Sequence, residues 1–356
     1  MKPLFSRGSF GGQTRYHLLA VAVAVIWGTT LISTKILLRD GLTPAEIMLY
    51  RFVLAYGVLW LLYPHRHKVE SLFDELIFVA LGLFGGSVYF LTENSALHIT
   101  LASNVALIVV TAPLLTTLLT HVFVKGEPIH RSIWFGSGIA LLGVVLVVYN
   151  GQVVLRIHPL GDLLSFAAAL SWAIYSVLLR KINGRYPVLF YTRKIFFYGT
   201  VTLIPWFALT GNPLTPSLLL NGEVAAHLLF LSLIASSACY VVWNMAVSHL
   251  GTVRTSHYIY LVPMVTLFFA VLFLNEPLTL QAFSGAILIL LGVWFGGGRT
   301  LAAGSPAVEN FALPYHEEGG NEGGSSIGNG TGYPDAFEPI EVGKEEQSGD
   351  QKDELS

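Results

Sequence analysis

Glu93 stands in the run Tyr89-Phe90-Leu91-Thr92-Glu93-Asn94-Ser95, inside a stretch otherwise apolar enough to cross a bilayer. A carboxylate at membrane depth costs about 2.5–3.5 kcal/mol on insertion scales, so such a group faces a cavity or a partner. Its chemistry there is to take up and release a proton, or to hold a cation. The competing reading is a carboxyl bonded across helices, or one solvated near an interface, because Glu93 lies toward the outer end of its stretch. Arg51 offers the opposite charge about two turns inside a second apolar stretch. Its planar fork can hold a substrate carboxylate with two bonds, pair with Glu46, or reach the headgroups by snorkelling. Arg193 and Lys194 are similarly placed, but adjacent cations point to different faces.

Neutral polar groups surround these charges in the sequence. The amides of Asn94 and Asn244 can bind a zwitterion or serve as interhelical glue, worth roughly 0.6 kcal/mol. Trp27 and Trp172 each offer a flat wall and one N–H donor. His257 brings a ring that titrates near neutrality, or a neutral ring satisfied by a carbonyl, and Tyr258 follows it. Tyr89, Tyr175, Tyr240, Trp243 and Tyr260 add aromatic surface. The set suits holding a small polar solute more than breaking bonds. No nucleophile–base pair or Cys/His/Asp constellation is evident, and the lone thiol, Cys239, is a small buried apolar side chain. The expectation is therefore no enzyme, no cofactor, no metal site and no nucleic-acid partner.

The chain states itself twice. Tyr89–Val145 contains YFLTENSALHI, VVTAPLLTTLLTHVFVKGEPI and GSGIALLGVV; Tyr240–Trp294 contains YVVWNMAVSHL, YLVPMVTLFFAVLFLNEPL and SGAILILLGVW. Asn94 pairs with Asn244, Pro113 with Pro263, Glu127-Pro128 with Glu276-Pro277 and Gly143 with Gly292, at an offset of 149 or 150. Trp27 corresponds to Trp172 in a weaker upstream match. Each proline removes an N–H and frees the carbonyl four residues earlier, Val109 and Ile259. Bundles tolerate such breaks where neighbours or water satisfy the freed groups, so Pro113 and Pro263 are candidate hinges. Glu127 and Glu276 are expected to cap the helices that follow. The pairs Gly82/Gly86 and Gly292/Gly296 are expected to let helices approach closely.

These residues need a membrane bundle to position them. The 356 residues are 53% hydrophobic and 12% charged, with mean hydropathy +0.63; a soluble domain averages about 25% charged. Ten apolar segments are long enough to span, since a helical span takes about 20 residues. They run approximately over 17–38, 46–63, 76–98, 102–124, 132–149, 162–179, 188–209, 225–249, 255–274 and 280–295. The first is too long for a signal peptide and lacks a small-residue cleavage site. With the amino terminus inside, cytoplasmic loops hold twelve Lys/Arg and outer loops three, which sets the orientation. The expected organisation is a cytoplasmic amino terminus (1–16), a first five-helix repeat (17–150), a second (151–298) and an acidic cytoplasmic tail (299–356). The tail is rich in Gly, Ser and Glu and cannot bury enough surface to offset its ordering entropy. The fold class is thus an all-α polytopic membrane protein with ten transmembrane helices as two inverted five-helix repeats, both termini cytoplasmic. Inverted repeats place a substrate site near the midplane where the copies meet.

The duplicated Glu-Pro corner with its Gly-containing last span, Trp-Gly-Thr-Thr at Trp27, Arg51-Phe52, and Tyr-Leu-Val-Pro ending at Pro263 resemble the EamA branch of the drug/metabolite transporter superfamily. The resemblance covers residues 17–296. It implies a ten-helix pseudosymmetric carrier of small metabolites that often exports amino acids, with a central cavity lined mainly by helices three, four, eight and nine. Glu93 is not a general feature of the family, and the tail is additional. The expectation is a secondary transporter in the inner (plasma) membrane that exports a small polar metabolite by alternating access, with membrane lipids around it and protons as a candidate coupling ion. The alternative is proton-coupled efflux of drugs or organic cations, in which Glu93 and the aromatics hold the cation.

Overall fold

The computed structural model describes residues 10–100, 102–124, 130–149, 158–211, 214–274 and 279–298. Glu127, Glu276, their prolines and the acidic tail lie outside the described residues. Every element among the described residues is helical.

Helix α1 (Phe10–Arg39) is longer than the apolar span it contains. α2 (Pro44–Leu62) opens with a capping box: the Thr43 side chain accepts from the Glu46 N–H, and Glu46 accepts from the Thr43 backbone. The other Glu46 oxygen accepts from the Thr215 N–H at 2.6 Å and its hydroxyl at 2.7 Å. Glu46 is therefore committed to tying the start of α2 to the second half of the chain, and is not the partner of Arg51. α3 (Leu72–Ile99) follows, then α4 (Ala102–Val109), α5 (Ala112–Phe123) and α6 (Arg131–Tyr149). The second half holds α7 (Pro159–Leu179), α8 (Val188–Val201), α9 (Ile204–Thr210), α10 (Gly222–Leu250), α11 (Thr252–Ser256), α12 (Leu261–Leu274) and α13 (Leu280–Gly298).

Six of these rods are long and apolar enough to cross a membrane: Thr14–Arg39, Pro44–Leu62, Leu72–Ile99, Val105–Phe123, Pro159–Leu179 and Gly222–Leu250. Leu61, Leu62, Leu72, Phe123, Leu209 and Leu280 are exposed, while Arg51, Glu93, Asn94 and Asn244 are buried. Water would reverse that distribution.

Several spans are less regular than their hydropathy suggests. The expected fourth is broken at Val110–Thr111, and Pro113 is the second residue of α5. The expected seventh breaks before α9, at whose start Pro205 stands. The expected ninth begins as α11 and a 3-10 turn (His257–Tyr260), so Pro263 falls in the first turn of α12. Both candidate hinge prolines thus sit just beyond an interruption of the α pattern, a two-residue turn before Pro113 and a 3-10 turn before Pro263, because each lacks the N–H that would carry the α pattern through.

The expected third and eighth spans each contain a π segment, Leu83–Ser87 within α3 and Phe230–Ala238 within α10. At the offset of 150 the first overlays the middle of the second. Gly85-Gly86 and Ser236-Ser237 occupy them; Gly and Ser pairs weaken the α ladder. A π turn widens the helix and leaves carbonyls for outside donors.

Glycines allow the closest approach between α6 and α13. A Cβ on Gly292 would lie 2.5 Å from the Ala140 N, one on Gly136 2.5 Å from the Gly296 N, and one on Gly143 2.6 Å from the Gly285 carbonyl. At the other end of α3, polar side chains join the halves. Arg185 holds both Asp74 oxygens at 2.8 and 2.6 Å and Glu70 at 2.6 Å, and Tyr186 donates to Asp74 at 2.8 Å. Lys194 holds Glu75 at 2.5 Å, and Arg193 donates to the carbonyls of Tyr63 and His65. These bonds occupy both cations of α8.

Candidate functional site

A cavity opens between the halves, walled by Trp27, Thr30 and Leu31 of α1, Arg51 of α2, and Tyr89, Phe90 and Glu93 of α3. Val105 to Ala112 at the α4–α5 break, Trp172 of α7, Tyr240 of α10, Ile259 and Val262 complete it. Its volume is about 70 Å³, below the range of about 300–1,000 Å³ usual for small-molecule sites. Most of the wall is apolar or aromatic. Arg51 and Glu93 supply its charge.

Residues four apart share a helix face, and the Tyr89 hydroxyl donates to Glu93 Oε1 at 2.9 Å. Glu93 is 8% exposed and retains its second oxygen beside the cavity. Arg51 donates through Nε to the Ser236 hydroxyl and stacks on the Phe90 ring, with its guanidinium carbon 4.3 Å from the centroid. Ser236 belongs to the π segment of α10, so that irregularity places the acceptor that steers the guanidinium. The terminal nitrogens of Arg51 remain as the donors for an incoming carboxylate.

The aromatic wall is tightly built. Trp27 meets Trp172 at 5.4 Å between centroids and 90° between planes; Tyr89 lies 5.2 Å and Tyr240 5.9 Å from Trp172. The Trp27 indole donates to the Ala235 carbonyl at 3.0 Å. The Tyr240 hydroxyl donates to the Gly85 carbonyl at 2.8 Å. Both acceptors belong to π segments, and both donors come from the opposite half of the chain.

Glu93, Arg51, Trp27 and Trp172 are thus brought together. Four other candidates are not on the cavity wall. Asn94 follows Glu93, so it points about 100° away; its amide donates to the Pro44 carbonyl at 3.2 Å. Asn244 accepts from Tyr175 at 2.8 Å and donates to Thr192 at 3.0 Å. His257 bonds the Val253 carbonyl at 2.8 Å and Ser137 at 3.1 Å. The Tyr258 hydroxyl pairs with His17 Nδ1 at 2.6 Å. In each case a helix–helix or within-helix bond engages the polar group that the cavity would have used. Conversely, Ser236, Thr30 and the aliphatic wall from Val105 to Ala112 carry no charge signal by which sequence alone could single them out. The Ser236-Ser237 pair, one position beyond the counterpart of Gly85-Gly86, is the available cue.

The model of the EamA-like transporter family matches residues 14–149 and again 159–296. The chain belongs to the EamA-like transporter family. It is accordingly a multi-pass integral membrane protein of the drug/metabolite transporter superfamily, built of two family repeats. An uncharacterized transporter of Archaeoglobus fulgidus is 32% identical over 288 residues, 79% of this chain and 97% of that protein. A probable amino-acid metabolite efflux pump of Escherichia coli K12 is 26% identical, over 78% of this chain and 93% of that protein. A solved crystal structure aligns with a TM-score of 0.65 at 18% identity, covering 82% of this chain and 99% of its own, which is a likeness of fold alone.

Proposed function

We propose that this EamA-family chain is a secondary carrier that exports a small zwitterionic metabolite, such as an amino acid, across the inner membrane. The observation that carries the reading is the pair of opposite charges on one cavity wall, each engaged by neutral partners: Glu93 by Tyr89, and Arg51 by Ser236 and the Phe90 ring. A zwitterion presents the complementary pair, its carboxylate to Arg51 and its ammonium to Glu93. The aromatic wall accepts the apolar side chain. The efflux role printed for the Escherichia coli relative is in keeping with this reading.

The body has ten membrane-crossing helices in two inverted five-helix repeats, 17–150 and 151–298, with both termini and the 299–356 tail cytoplasmic. The asymmetry of twelve inner against three outer cations supports that orientation. Alternating access moves one repeat against the other, with bending at Pro113 and Pro263. Glu93 also serves as the proton-coupling carboxylate. The second reading, efflux of organic cations, draws on the Trp27, Trp172, Tyr89 and Tyr240 rings around Glu93, which are built like a cation-binding box.

Counterflow in proteoliposomes separates the two. Zwitterion export predicts that labelled amino acids accumulate against a preloaded partner and that Arg51→Met abolishes this. Accumulation of organic cations alone, insensitive to Arg51→Met, would establish the second reading instead.

A further inference from the structure

Trp27 and Trp172 occupy corresponding places in the two repeats, yet their indoles are treated differently. Trp27 donates to the Ala235 carbonyl at 3.0 Å. The residue 150 positions before Ala235 is Gly85, so the Gly85 carbonyl is the matching acceptor for Trp172. The Tyr240 hydroxyl already occupies it at 2.8 Å. Trp172 Nε1 is left buried with no hydrogen-bond partner, in a side chain only 4% exposed. The neighbouring residue Ser171 donates to the Phe84 carbonyl at 2.7 Å, so α7 already lies against the first π segment. The residue matching Tyr240 is Phe90, which has no hydroxyl to compete with Trp27 for Ala235. One oxygen atom accounts for the difference between the halves.

A buried N–H without an acceptor is costly, and a rearrangement that supplies one recovers the loss. In a carrier of inverted repeats, each half takes in the opposite-facing state the conformation its counterpart holds now. Trp172 would then meet the Gly85 carbonyl as Trp27 now meets that of Ala235.

We propose that the Gly85 carbonyl is a shared acceptor, held by the Tyr240 hydroxyl in the conformation described and by the Trp172 indole in the oppositely facing one. Exchange of this bond is part of reorientation, and the Tyr240 hydroxyl biases the carrier toward the state described. The inference rests on the carrier reading above.

The test uses the full-length chain in proteoliposomes with Cys239→Ala and a reporter Thr30→Cys on the cavity wall, labelled by a membrane-impermeant maleimide from each side in turn; the readout is labelling from the side that reaches Thr30→Cys in the otherwise unchanged protein. Tyr240→Phe removes the hydroxyl that holds the described state, and labelling should fall about five-fold, as expected for one net hydrogen bond. In a Trp172→Phe background the same change should have no effect, because no second donor awaits the carbonyl. Phe90→Tyr adds the mirror-image hydroxyl and should lower labelling as Tyr240→Phe does. Equal effects of Tyr240→Phe with and without Trp172, or no effect of Phe90→Tyr in a protein that still elutes as one species, would overturn the exchange. Counterflow by the parent protein is read in parallel. If the parent carries neither amino acids nor organic cations while the labelling remains non-additive, the substrate assignment fails and the bond exchange stands.

Discussion

Arg51→Met is the substitution that most sharply separates recognition from architecture. Arg51 is 4% exposed, and its guanidinium meets the Ser236 hydroxyl and the face of Phe90. A buried cation without a direct carboxylate partner contributes little to stability, and apolar replacements of buried charges are often neutral or stabilising. Methionine replaces the stem as far as Nε and leaves the place of the guanidinium to the cavity that Arg51 lines. Ser236 keeps a rotatable hydroxyl that can donate to a backbone carbonyl of its own helix. Arg51→Met should therefore match or exceed the parent in thermal midpoint. Its transport should collapse. Hydrogen bonds to charged groups contribute about 1.5–3 kcal/mol, so losing the carboxylate contact should cost about ten- to a hundred-fold in efficiency for a zwitterion. Arg51→Lys keeps the charge without the planar fork and should recover only part of it. Counterflow of a labelled amino acid is the assay, with differential scanning fluorimetry on the same preparations. Zwitterion transport within two-fold of the parent, in a variant of undiminished stability, would refute the assignment. A variant that lost stability and transport together would show Arg51 to be architectural.

Three other outcomes follow from particular contacts. Glu93→Gln keeps the shape and the Tyr89 bond but cannot carry a proton, so counterflow should persist while its response to an imposed pH gradient disappears; a gradient response equal to the parent's would remove Glu93 from coupling. Gly85→Ala places a methyl 2.3 Å from the Tyr175 ring, and overpacking of that kind costs about 1–3 kcal/mol, so the thermal midpoint should drop by several degrees; an unchanged midpoint would show that the π segment yields freely. Arg185→Ala leaves the Asp74 carboxylate buried without its cation, with the Tyr186 hydroxyl still donating to it. After allowance for the exposed side of Arg185 it should cost about 1–2 kcal/mol, read as an earlier onset of thermal unfolding, with Arg185→Lys retaining part of the loss.

The duplication, the membrane character and the central charges were legible in the sequence because each has a strong local signature. An offset of 150 survives divergence in Asn94/Asn244 and Pro113/Pro263, and a carboxylate in an apolar run such as Glu93 needs no neighbours to be conspicuous. What was not legible depends on rotation about a helix axis. Glu93 and Asn94 are adjacent in the chain, yet one turns to the cavity and the other to the start of α2. Asn244 equally gave no sign that Tyr175 and Thr192 would engage both ends of its amide. The π segments were hidden for a related reason. Their extra residue shifts the register of everything beyond them without altering hydropathy, and only the paired Gly85-Gly86 and Ser236-Ser237 mark the place. Trp27 and Trp172 corresponded by position, but their different bonds turned on a hydroxyl present in Tyr240 and absent from Phe90.

The central claim is that two inverted halves share a chamber in which Arg51 and Glu93 grasp the two ends of one solute. A density map of the full-length protein with an exported amino acid at saturation tests it most directly. The account predicts opposed halves, with the ligand carboxylate against the Arg51 fork and its ammonium within hydrogen-bond distance of Glu93, flanked by Trp27 and Trp172. Parallel halves, or a ligand bound away from both charges, would contradict it.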